Sequence, residues 1–135
     1  MTIRIAFRMV TPRTWTGGLN YLLNICRIVR TYLPQYEPVF FAPEDIAPHV
    51  RAAVIAAVGR EPLPLRERRH ADDALALLGR SEREADAAFA SAGIDLVFES
   101  TGFYGWKPPY TILSWLPDFQ HRRLPGFFSY RSWLV

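Results

Sequence analysis

The chain has 135 residues, half of them apolar and 21% charged, with a single cysteine and a net charge of +3. That length holds one domain with a real core, and that composition excludes a disordered segment, an internal disulfide framework and a span of about 18 apolar residues. The charge is unevenly placed: residues 1–36 carry five arginines and no acid, residues 37–99 carry twelve acids against seven bases, and residues 100–135 carry four bases against Asp118.

In chain order, residues 3–10 (IRIAFRMV) are rich in β-formers and stop at Thr11-Pro12, which predicts the first strand. The start lacks the long apolar block of a signal peptide. Thr16-Gly17-Gly18 then leads into a helix that ends at Pro34. Leu19, Leu22, Leu23, Cys26, Val29 and Leu33 follow helical spacing, and Tyr21, Ile25, Ile28 and Tyr32 lie beside them. A helix apolar this far round is expected to be buried on more than one side.

EPVFFA (37–42) predicts a second strand, and Pro48–Val58 a helix whose face is Val50, Val54, Ala57 and Val58, capped by Gly59. PLPLRE (62–67) is a weaker strand candidate. Two alanine-rich helices follow, over 71–78 and 81–92, separated by Gly79. Ser81 with Glu84 reads as a capping box for the second of them. IDLVFES (94–100) and TILSWL (111–116) complete the strands. Such alternation predicts an α/β domain over residues 1–135: a Rossmann-like parallel sheet with helices on both faces and right-handed crossovers.

Ligands of such sheets bind beyond the carboxyl ends of the strands, so the loop after the first strand is the first candidate. It reads TPRTWTGG, with Gly17 and Gly18 placed where the helix begins. Free amides at a helix start suit a phosphate, and glycine permits close approach. Arg13 adds charge and Trp15 a flat apolar surface. The competing reading is a tight strand-to-helix turn, for neither a dinucleotide fingerprint nor a phosphate-loop lysine occurs.

A second cluster follows the last strand. Asp118, Gln120 and His121 are polar groups at the presumed ligand edge, and Arg122 and Arg123 can hold an anion. The competing reading is a surface loop set by Pro117 and Pro125. Tyr104 and Trp106 are placed either to stack on a sugar ring or to cover the core. Cys26 is read as core, His49 and His70 as surface, and the run Arg66–Asp73 as a solvated loop or helix start. No metal-ligand spacing is present.

The stretch W-L-PDFQH-x-x-LP-x-FFS (115–129) resembles a segment of family 4-like glycosyltransferases of the GT-B fold. The first strand, the paired-glycine loop and the long apolar helix resemble their N-terminal domain. The resemblance implies transfer of a sugar from a nucleotide-sugar to a sugar or glycan acceptor, with retention and without a required metal or cofactor. It places Gly17 and Gly18 near the donor phosphates, His121 and Asp118 in the catalytic loop, and Arg13, Trp15, Tyr104 and Gln120 around the substrates. The family's second domain carries two glutamates with seven residues between them, a spacing absent here. The chain therefore reads as an N-terminal half, completed by a C-terminal GT-B domain in cis or in trans.

The alternative is a non-catalytic α/β binding domain that touches a membrane surface through its first helix, where Arg27 and Arg30 flank apolar residues. Nucleic-acid binding finds no motif. The single cysteine suits a reducing compartment, and the expected location is cytoplasmic, with the membrane surface as its variant.

Overall fold

The computed structural model describes residues 2–10, 12–68, 70–79, 82–99, 104 and 107–114, with the backbone path alone for 12–16, 70, 71, 73, 74 and 99. These residues build one five-stranded, all-parallel sheet flanked by helices. The strands are β1 (Ile3–Arg8), β2 (Tyr36–Ala42), β3 (Leu63–Pro64), β4 (Leu96–Glu99) and β5 (Thr111–Ser114). The helices are α1 (Pro12–Tyr32), α2 (Pro48–Val58), α3 (His70–Leu77) and α4 (Arg83–Ser91).

The strand order β3-β2-β1-β4-β5 puts β1 at the centre. The chain first steps outward through β2 and β3, then crosses back over β1 to reach β4. That reversal makes the gap between β1 and β4 the topological switch point, where a crevice opens at the carboxyl edge. The α/β reading of the sequence, with helices on both faces, is what is observed.

Two apolar layers hold the sheet. On one face, Phe7 and Phe40 pack with Leu19, Leu22, Leu23 and Cys26 of α1 and with Val54 and Ala57 of α2. On the other, Ala6, Val39, Phe41 and Val97 pack with Ala85 and Phe89 of α4. Phe41 and Tyr110 both meet the Phe89 ring edge-on, with centroids 5.0 and 5.2 Å away. Alternation along β1 explains the division: Ile5 and Phe7 face α1, while Ala6 and Arg8 face α4.

The helix over Pro48–Val58 has the expected bounds and the expected buried face, Val50, Val54, Ala57 and Val58. Gly59 caps it in the left-handed conformation, φ 86°, its amide donating to the Ile55 carbonyl. Cys26 is fully buried, and His49 is exposed.

Three expectations are corrected. First, α1 begins at Pro12, so Gly17 and Gly18 are its sixth and seventh residues and not its start. Proline suits a first helical position because its missing amide hydrogen has no partner there anyway and its φ is preset. Second, α1 is buried on one side only. Ile28 and Tyr32, on its second apolar side, are 53% and 73% exposed. Third, the capping box does not form: the N-cap of α4 is Glu82, with no side-chain cap bond, and the Glu84 carboxylate accepts from Arg66 Nε at 2.9 Å. Ser81 lies outside the described residues.

Candidate functional site

In a right-handed βαβ arrangement the helices run back against the strands. The N-terminus of α4 therefore meets the carboxyl ends of β1 and β3. A charged network occupies that corner.

Its centre is Arg8, the last residue of β1. The alternation that buries Ala6 against α4 also turns Arg8 inward, and the side chains of Arg8 and Glu82 are only 3% and 5% exposed. Arg8 donates from both terminal nitrogens to the two Glu82 oxygens, at 2.8 and 2.7 Å, and from Nη2 to the Arg66 carbonyl at 2.7 Å. Burial opposes the Arg8 charge. The hydrogen bond to Glu82, together with the electrostatic contribution of Tyr104 and the Glu82 charge, outweighs that penalty, and Arg8 stands above the usual arginine value.

Arg68 Nη1 also donates to Glu82, at 3.2 Å. Arg66 clamps Asp72 with both terminal nitrogens, at 2.8 and 2.9 Å. That bond to Asp72 is the main reason the Arg66 guanidinium is held above its usual value. The run read as solvated, Arg66–Asp73, thus supplies three members of a half-buried ion-pair network.

A cleft of about 700 Å³ opens beside this network, lined by Arg66, Asp72, Glu82, Arg83 and Glu84 among others. Its described carboxylates, those of Asp72, Glu82 and Glu84, are each engaged by a guanidinium group. The arrangement joins three chain segments: the end of β1, the strand exit at 65–68, and the start of α4. It fixes the shape of the carboxyl edge next to the switch point.

The residues singled out in the sequence fall as follows. Gly17 is exposed and Gly18 buried, both inside α1. Their amides lie beyond the first turn, where α-helical geometry engages them with carbonyls four residues back. Pro12 has no amide hydrogen, so the free amides inside the helix belong to residues 13 and 14, and the backbone of Arg13 and Trp15 stands in that first turn. Tyr104 is 3% exposed and packs among Phe89 and Tyr110, with the Arg68 guanidinium 4.3 Å from its ring centre. It covers the core, and no open ring face remains for a sugar. Lys107, in the connection between β4 and β5, is exposed. Trp106, Asp118, Gln120, His121, Arg122 and Arg123 lie outside the described residues.

Sequence reasoning missed Arg8, Arg68 and Glu82. One signal was present: an arginine at an inward position of a buried strand must find a carboxylate or be excluded from the core. Among the described residues no group of His, Cys, Asp and Glu could hold a metal ion, and no helix is long and apolar enough to cross a membrane. Compared with protein-family models, curated proteins and solved structures, the chain matches none of them.

Proposed function

We infer that the chain is the N-terminal, acceptor-side half of a retaining glycosyltransferase of the GT-B type, which moves a sugar from a nucleotide-sugar to a sugar or glycan acceptor. The observation that carries this reading is the strand order. β1, β4 and β5 are neighbours and parallel, so Arg8 and Ser114 end on one edge, two strand spacings or roughly 10 Å apart. Residues 12–18 follow the first of these ends, and the PDFQH segment, 117–121, comes after the other in sequence, outside the described residues. Each motif of the resemblance thus follows, in sequence, a strand that ends on this edge, one strand on either side of the switch point.

In this reading the donor phosphates face the amides of residues 13 and 14, with Gly17 one turn further into the helix. Arg13, Trp15 and Gln120 contact the substrates, and His121 with Asp118 works beside the donor sugar. Positioned amides stabilise the charge that develops on the departing nucleotide. A C-terminal domain supplies the opposite wall, since transfer needs water excluded and both substrates held.

Calorimetric titration with nucleoside diphosphates tests this, on the chain alone and with a GT-B C-terminal domain added. Binding that strengthens with the added domain, and sugar transfer lost in His121→Ala, is the expected result. No heat of binding and no transfer in either sample would overturn the assignment.

A further inference from the structure

We draw no further inference here: the strongest candidate, the cleft between α3 and the start of α4, belongs to the site already described, its carboxylates are held by Arg8, Arg66 and Arg68, and the exposed Arg83 on its wall stands at a helix N-terminus where no other described feature points to a ligand.

Discussion

Replacing Glu82 by glutamine should cost this domain a large part of its stability. The substitution keeps the shape of the side chain and removes its charge. Two charge-assisted hydrogen bonds from Arg8 are lost as such, at about 1.5–3 kcal/mol each. The new amide also turns hydrogen-bond donors toward guanidinium groups that are themselves donors. Arg8 remains 4% exposed with no carboxylate, and breaking one partner of a buried pair costs about 3–5 kcal/mol. The two figures agree, and at roughly 3–5 °C per kcal/mol for a chain of this size the melting point falls by about 10–20 °C. Urea unfolding followed by far-ultraviolet circular dichroism measures the loss directly. The double variant Arg8→Met, Glu82→Leu should recover part of it, because an apolar pair of similar volume needs no compensation. Recovery is incomplete, since Arg66 and Arg68 also rest on Glu82. A loss below about 1 kcal/mol in Glu82→Gln would place the pair in the class of exposed ion pairs and refute the argument.

Three further outcomes follow from the same structure. Tyr110→Phe removes a hydroxyl that donates to Asp86 Oδ1 at 2.8 Å, and the urea midpoint should report a loss of about 1.5–3 kcal/mol, as for a bond to a charged acceptor. Burial pushes the Cys26 thiol from 9.0 up to about 12. The unfolded chain therefore releases this proton first, so the contribution is complete below about pH 9 and is lost as pH rises toward 12. Burial and the bond to Asp86 also raise Tyr110, which adds loss in the same direction. Unfolding curves between pH 8 and 11 should show falling stability, with a shallower fall in Cys26→Ala. Gly17→Ala, at an exposed position inside α1, should raise stability by about 0.5–1 kcal/mol; a fall would return this glycine to a turn that the helix does not contain.

The architecture was legible because it rests on local pattern. Val50, Val54, Ala57 and Val58 show their spacing within one helix, and Gly59 marks its end with a conformation that glycine alone adopts freely. The start of α1 was misplaced because Thr11-Pro12 carries two meanings, the end of a strand and the first position of a helix. Reading only the first moved the helix onto its glycines. The network at the carboxyl edge was hidden for a different reason. Arg8 and Glu82 are 74 positions apart, and nothing in the spacing of either announces the other. Their meeting depends on the crossover from β3 to β4, which exists only once the sheet is assembled.

The charge distribution gains its meaning at the same step. The acid-free first 36 residues suggested a basic surface. Two of those arginines, however, are consumed inside the fold: Arg8 by Glu82, and Arg4 by Glu37, with Arg60 on the other Glu37 oxygen. The acidic middle of the chain thus neutralises the strand arginines and does not merely coat outer helices. Among the described residues, Arg27, Arg30, Arg83 and Lys107 are left without a carboxylate partner. Only Arg83 lines the cleft at the carboxyl edge, so the described part of that edge is nearly neutral. A phosphate bound there would depend on backbone amides at the start of α1 more than on described side-chain charge. It would then show weaker salt dependence than binding to an exposed arginine cluster, because screening acts most on exposed charges.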